Sequence, residues 1–408
     1  MKSYLLITGD FVRTGGMDKA NFALADYLAR QGKPVHLVAY RVAPELLAQP
    51  KVTFHPVAKL ANSYLLSSPW LNWVGRSQAQ QITAVGGRVL VNGGNCQWGE
   101  INWVHYVHAA YNFNAYKGLP ERDSSPPSAH STKKIAKRIS LESQVKVLRE
   151  IKRTVAYQMF LAAERRALHS ARVIIVNSDR TKRDLIEKLA IPEQRIHRIY
   201  YGIEPEIFYP PTPQERIELR RQLEWSLDRP IVIFIGALGD RRKGFDTLFT
   251  TWQQLCADPN WDADLVVVGF GAELPLWQKR TAEAGLASRI HFLGFRSDVP
   301  NLLRAADCLV APTRYEAYGM GVHEALCCGM PALVSASAGV AERYPPHLRD
   351  LLLPDPEDAA DLAARLRQWR GASHQYSKLV NSLSEELRDY TWDDMAQSIL
   401  ETIEQTQF

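Results

Sequence analysis

Short apolar, β-branched runs alternate with longer amphipathic stretches along this chain, and no other feature restricts its fold as tightly. In the first half the runs are YLLIT at 4–8, PVHLVA at 34–39, RVLVN at 88–92, NWVHYV at 102–107 and RVIIVN at 172–177. They are apolar on both faces, as a strand must be when helices cover both sides of a parallel sheet. A second series follows, with PIVIFIG at 230–236, DLVVVG at 264–269, RIHFLG at 289–294, DCLVAP at 307–312 and PALVSA at 331–336. Between the two series lies EPEIFYPPTPQER, whose Pro205, Pro210, Pro211 and Pro213 have the look of an interdomain linker. The pattern predicts two doubly wound α/β domains in series, with ligands at the carboxyl ends of the strands and in the cleft between the domains. The expected boundaries are a first domain over 1–204, a linker over 205–228, a second domain over 229–390 and a terminal helix, about 391–408, packing back on the first domain.

At 408 residues the chain is too long for one ordinary core. Its 46% hydrophobic and 23% charged residues exclude a disordered or fibrous protein. Cys96, Cys256, Cys308, Cys327 and Cys328 are odd in number and lack metal-ligand spacing, which argues against a disulfide framework or a zinc site and fits a reducing cytoplasm. The apolar run in MKSYLLITGD is shorter than a signal peptide needs, and no stretch reaches transmembrane length.

The net charge of +5 is local. Lys133, Lys134, Lys137, Arg138, Lys146, Arg149, Lys152 and Arg153 face only Glu142 and Glu150 within 133–153, a balance of 8 − 2 = +6. The rest of the chain is therefore near neutrality, which excludes a general nucleic-acid binder. Leu141, Val145, Leu148, Ile151, Val155 and Met159 recur at helical spacing across this segment. Two readings stand: a solvated helix packed on the first domain, or a surface for an anionic membrane or acceptor.

The chemistry-bearing residues sit after strands. Gly15 and Gly16 follow the first run and precede a helical pattern, a turn that lets the backbone approach a ligand. His105 and His108 close the NWVHYV run, and His108, nearer the cleft, is the better functional candidate. Arg241, Arg242 and Lys243 follow the first strand of the second domain, where clustered cations can hold a diphosphate. In RYEAYGMGVHEALCCGMP, Gly319, Met320, Gly321 and Val322 open a helix whose free amides and dipole favour an anion. Glu316 precedes that loop and Glu324 follows it; carboxylates so placed suit sugar hydroxyls better than the phosphate itself.

Together these residues resemble the GT-B glycosyltransferases, specifically the large retaining family 4 group. The resemblance runs through TGGMDKAN, WVHYVH, VIIVNSDRTKRDL, RIYYGIEPEIFYP, GALGDRRKGFDTL, LVVVGFGAE, HFLGFRSDVPNLLRAADCLVAPTRYEAYGMGVHEALCCGMP, SAGVAE and YTWDDMA. It implies two Rossmann-like domains facing across a cleft, and retaining transfer of a hexose from a UDP- or GDP-sugar to an acceptor hydroxyl. By the same resemblance Glu324 binds the ribose and the Gly319–Val322 amides the diphosphate. Glu316 and His108 face the donor sugar, Lys243 neutralises the leaving group, Gly15 and Gly16 face donor phosphate and acceptor, and the base lies near the backbone of Phe295. The family's usual G-R-L is replaced by Gly236-Ala237-Leu238, so either Arg241 or Arg242 stands in for the phosphate-binding arginine.

No cofactor is expected, and cations with a helix dipole supply the field a metal would provide. The acceptor is expected to be a saccharide or lipid-linked molecule in polysaccharide or glycoconjugate synthesis, at the cytoplasmic side, with membrane contact through 133–153 left open. A sugar-nucleotide epimerase of the same architecture and a catalytically silent nucleotide-sugar-binding protein are the alternatives.

Overall fold

The computed structural model describes residues 2–111 and 154–406. The basic 133–153 segment and the SSPPS tract therefore lie outside the described residues. The first domain holds β1 (Tyr4–Ile7), β2 (Asp10–Phe11), β3 (Val35–Ala39), β4 (Arg41–Val42), β5 (Val52–Pro56), β6 (Arg88–Asn92), β7 (Ile101–Val104), β8 (Val173–Val176) and β9 (Ile196–Arg198). Its helices are α1 (Gly16–Arg30), α2 (Pro44–Leu47), α3 (Tyr64–Ala84), α4 (154–170) and α5 (Asp179–Leu189). The second domain holds β10 (Ile231–Ile235), β11 (Asp264–Val268), β12 (Ile290–Gly294), β13 (Cys308–Ala311), β14 (Ala332–Ser335) and β15 (Leu352–Leu353). Around them lie α6 (Pro213–Gln222), α7 (Phe245–Cys256), α8 (Leu274–Glu283), α9 (Val299–Ala305), α10 (Met320–Cys327), α11 (Ala359–Gly371) and α12 (Ser373–Arg388), and α13 (Trp392–Gln405) ends the chain.

Both large sheets are wholly parallel, in the orders β5-β3-β1-β6-β7-β8-β9 and β12-β11-β10-β13-β14-β15. The order reverses direction beside β1 and beside β10, the switch points where a doubly wound sheet opens a crevice. The central strands are buried on both faces, with Leu5, Ile7, Val232 and Ile233 fully enclosed. Edge strands β5, β9 and β15 escape the apolar pattern because they are half exposed or only two to three residues long. The NWVHYV strand is shorter than its run: it stops at Val104, so His105 and His108 stand beyond its end.

The proline-rich stretch between the two domains carries a helix. Pro213 occupies the first turn of α6, where its missing N–H costs nothing, and the Thr212 side chain accepts from the Glu215 amide. From α6, Arg216 reaches Asp307 at 2.5 Å, and the buried Arg220 donates to the carbonyls of Ala305 at 2.9 Å and Ser226 at 3.0 Å and to Asp307 itself. Asp307 also accepts from the Ile231 amide at 2.7 Å, so it ties α6 to the first strand of the second sheet.

The crossing back is equally fixed. Ile203 pairs with Thr391, and Thr391 and Asp394 form a capping box at the start of α13. Trp392, Met395, Ala396, Ile399 and Ile403 then join the core that holds Ala20, Leu24 and Leu28 of α1.

Removing the Asp307 carboxylate leaves a buried guanidinium without its counter-charge. Asp307→Ala is expected to lower the stability of the second domain by about 3–5 kcal/mol, read as a lower urea midpoint; an unchanged midpoint would show that the arginine carbonyl contacts suffice.

Candidate active site

Loops from both sheets converge where their carboxyl ends meet. After β13 the chain passes Arg314 to Glu316 and turns at Gly319, whose φ of 115° is a left-handed conformation that favours glycine, into α10. The Gly319 carbonyl accepts from Val322 at 3.1 Å and His323 at 3.0 Å. Among the described residues the amides of Met320 and Gly321 have no acceptor at this tip, whereas Val322 is already satisfied. Opposite it stands the start of α1: a Cβ on Gly16 would lie 2.8 Å from Cγ of Met320, so any larger residue there would force the Met320 side chain to shift.

Glu316 and Lys243 form an ion pair, Nζ to Oε2 at 2.6 Å, between the loop after β13 and the turn after β10. The two neighbouring arginines diverge. Arg241 turns away to Asp246 at 2.7 Å, the carboxylate that the buried Arg314 also grips at 2.7 Å. Arg242 is clamped by Asp240 at 2.9 Å and lies over the Tyr111 ring at 4.7 Å, on the cleft side.

His108 is fixed on three sides. Its Nδ1 lies 3.0 Å from Oε1 of Glu164, which also accepts the His108 amide at 2.8 Å. The Ala109 amide donates to the other oxygen at 3.1 Å. With a carboxylate at Nδ1, that nitrogen carries the proton, and Nε2 accepts from the Tyr106 hydroxyl at 3.0 Å. The ring stacks on Phe160 with centroids 5.5 Å apart. Across the cleft the Val107 amide donates to the Tyr315 hydroxyl at 3.0 Å, which brings the His108 turn beside the Glu316 loop.

Glu164 was not legible as a site residue, although a signal existed: on α4 a carboxylate shares the buried stripe of Ala167 and Leu168, and it is only 1% exposed. The stripe read from the sequence is the wrong one where it is described, for Val155 and Met159 are 53% and 47% exposed. His105 is structural. It is buried between Asn92 and Tyr201, both at 2.5 Å, and burial pushes it down to about 3.

Glu324 sits one turn into α10. Burial pushes its carboxyl up to about 7, opposed by Lys19 and assisted by Glu204. Lys19, from α1, pairs with Glu204 at 2.8 Å, and Trp392 Nε1 donates to the same oxygen at 2.7 Å. Phe295 lies apart from this cluster, 74% exposed just past β12, and Phe270, past the adjacent β11, is 69% exposed. Among the described residues no group of histidine, cysteine and carboxylate side chains could hold a metal, and no helix is long and apolar enough to cross a membrane.

Two family descriptions divide the chain as the sheets do: Glycosyltransferase Family 4 matches residues 14–207, and Glycosyl transferases group 1 matches residues 215–385. The chain belongs to the group 1 glycosyltransferases of the GT-B fold. Mannosylfructose-phosphate synthase of Agrobacterium fabrum is 28% identical over 230 residues, 54% of this chain and 50% of that protein. The chain spans about half the length of the curated relatives it matches. Two solved structures share the fold of this chain throughout. Sucrose-phosphate synthase of Thermosynechococcus elongatus has a TM-score of 0.73 at 20% identity, covering 99% of both chains. Anabaena HepE in complex with UDP and glucose has a TM-score of 0.67 at 16% identity, covering 100% of both chains.

A carboxylate whose folded pKa is raised destabilises the fold when ionised. For Glu324 that penalty is absent below the ordinary value of 4.5 and complete above about 7. Glu324→Gln is therefore expected to raise the melting temperature of the unliganded glycosyltransferase by roughly 2–4 °C at about pH 8, and to leave it unchanged near pH 4.5. Scanning calorimetry at the two pH values checks this.

Proposed function

We propose that the protein transfers a hexose from a nucleoside diphosphate sugar, UDP- or GDP-linked, to an acceptor hydroxyl with retention of anomeric configuration. The observation that carries this is the Lys243–Glu316 ion pair beside the amides of Met320 and Gly321. An arriving diphosphate would take Lys243 as its counter-ion, and the freed Glu316 would accept hydrogen bonds from the donor sugar. Arg242, on the cleft side, is the arginine we assign to the phosphates in place of the family's usual one. Glu324 would accept from the ribose hydroxyls, with the exposed Phe270 and Phe295 flanking the base.

In this reading charge grows on the diphosphate as the glycosyl bond breaks, and fixed amides and cations stabilise that state more than the ground state. The departing phosphate oxygen takes the acceptor proton on the same face of the sugar. His108, its ring oriented by Glu164, would hold a donor-sugar hydroxyl at Nε2 in exchange for the Tyr106 hydroxyl that now occupies it. The UDP and glucose bound in HepE support a nucleotide-sugar donor for a chain of this fold. Synthesis of a polysaccharide or glycoconjugate on the cytoplasmic side is the context we propose.

A thermal-shift panel of nucleotides and nucleotide sugars tests the donor, since ligand binding stabilises by mass action. Glu324→Ala is expected to weaken nucleoside diphosphate binding about 10- to 100-fold. Glu316→Ala is expected to bind it nearly normally while slowing transfer by about 10²-fold or more. Equal nucleotide affinity in wild type and Glu324→Ala would remove the ribose assignment. Turnover is expected to survive chelator; strict loss restored by magnesium or manganese would overturn the metal-independent reading.

A further inference from the structure

Beside the donor groove, on the first domain, lies a cavity of about 490 Å³ walled by Tyr106, His108 and Phe160 on one side and Tyr64 on another, with Asp10 and Asp18 between them. No lysine or arginine is among the described residues that line it. Its two carboxylates differ. Asp10 is satisfied: Arg41 donates to it at 2.7 Å and 3.1 Å and the Tyr64 hydroxyl at 2.9 Å, and despite burial these partners hold its carboxyl below the ordinary value. Asp18, in the first turn of α1, makes no hydrogen bond or ion pair with any described residue. Burial, and then the charge of Asp10, push it up to about 6 against the pull of Arg41, so it is mostly ionised at neutral pH.

The nearby cations are committed elsewhere, Arg41 to Asp10 and Lys59 to the face of Tyr64 at 3.4 Å. Charge is thus segregated among the described residues: Lys243 and Arg242 stand on the second domain's side of the cleft, and Asp18, without a hydrogen-bonded or ion-paired partner among them, lines the first domain's cavity with His108. A phosphate placed against Asp18 would meet like charge with no counter-ion among the described lining residues, whereas a hydroxyl or ammonium group would donate a hydrogen bond to it.

Resting on the donor reading above, we infer that this cavity receives the acceptor and that Asp18 selects one presenting hydroxyl or amino groups there, against a phosphorylated one. The aromatic walls suit the C–H faces of a sugar ring or cyclitol, and Asp18 fixes the ring by accepting from a substituent next to the attacking hydroxyl.

The test offers paired acceptors that differ by a phosphate, namely glucose and glucose 6-phosphate, fructose and fructose 6-phosphate, and inositol and inositol 3-phosphate, with glucosamine as the amino analogue. Each is supplied with the nucleotide hexose that most stabilises the protein. The unphosphorylated member of any pair that reacts is expected to show at least about tenfold higher kcat/KM. Asp18→Asn and, as a second variant, Asp18→Ser are expected to bring that ratio within about threefold of unity, and Asp18→Glu to preserve it. Preference for the phosphorylated member, or a preference that persists in both Asp18→Asn and Asp18→Ser, would overturn the inference. So would failure of every pair while nucleotides still stabilise the protein, which would leave the donor reading standing. Absence of any nucleotide stabilisation in wild type would instead strike the donor reading, and the inference would fall with it.

Discussion

Every strand of both large sheets runs parallel to its neighbours, so each sheet delivers all its carboxyl ends to one edge. This constraint places the turns after β1, β7, β10 and β13 together, though they are far apart in sequence. The two edges face one another because the chain crosses between domains twice, near Ile203 and near Thr391, and the crossings pair with each other. The α13 helix then completes the core beside α1. The position of Gly16 against Met320 is a consequence of that closure: without the returning helix, nothing but the cleft contacts would hold α1 over the start of α10.

Within this frame electrostatics divides the labour. Away from the cleft, charges are matched: Asp307 with Arg216 and Arg220, Asp246 with Arg241 and Arg314. Inside it, matches are incomplete or exchangeable. Lys243 pairs with Glu316, while Glu324 and Asp18, both raised by burial, have no direct partner among the described residues. Protein interiors penalise such groups, and their concentration in one cleft is the signature of a site whose ligand completes the pairing.

The fold class was legible because the central strands are buried on both faces, and a chain that must hide them writes continuous apolar runs. Strands β5, β9 and β15 were not, for an edge strand has only one face to hide or too few residues to show a period. The helix inside the expected linker was not legible because Pro213 punctuates a loop and starts a helix equally well, and the Arg216 and Arg220 contacts that hold it are tertiary. In the cleft, the glycines of the loop before α10 made the loop-to-helix turn legible from sequence. The same string cannot say that Arg242 faces Tyr111 while Arg241 turns to Asp246, since adjacent side chains on a short turn diverge by tertiary contact alone. Glu164 was hidden for a related reason: its partner, the His108 turn, is 56 residues away.

The hydrogen-bonding of that histidine shows why the distant partner matters. A free imidazole samples two tautomers and many ring orientations, and only one arrangement presents Nε2 to the cleft side. The Glu164 carboxylate takes the Nδ1 proton and two backbone amides at once, so the turn and the ring are held by one group, and rotating the ring would break the Nδ1 contact. Phe160 and Tyr106 close the remaining directions. A buried carboxylate is a cost the fold tolerates only when its lone pairs are filled, and here the filling groups are the backbone of the turn it positions. The Glu164 carboxylate therefore does at once what packing alone could not: it orients a polar ring at the border between the proposed donor groove and the acceptor cavity.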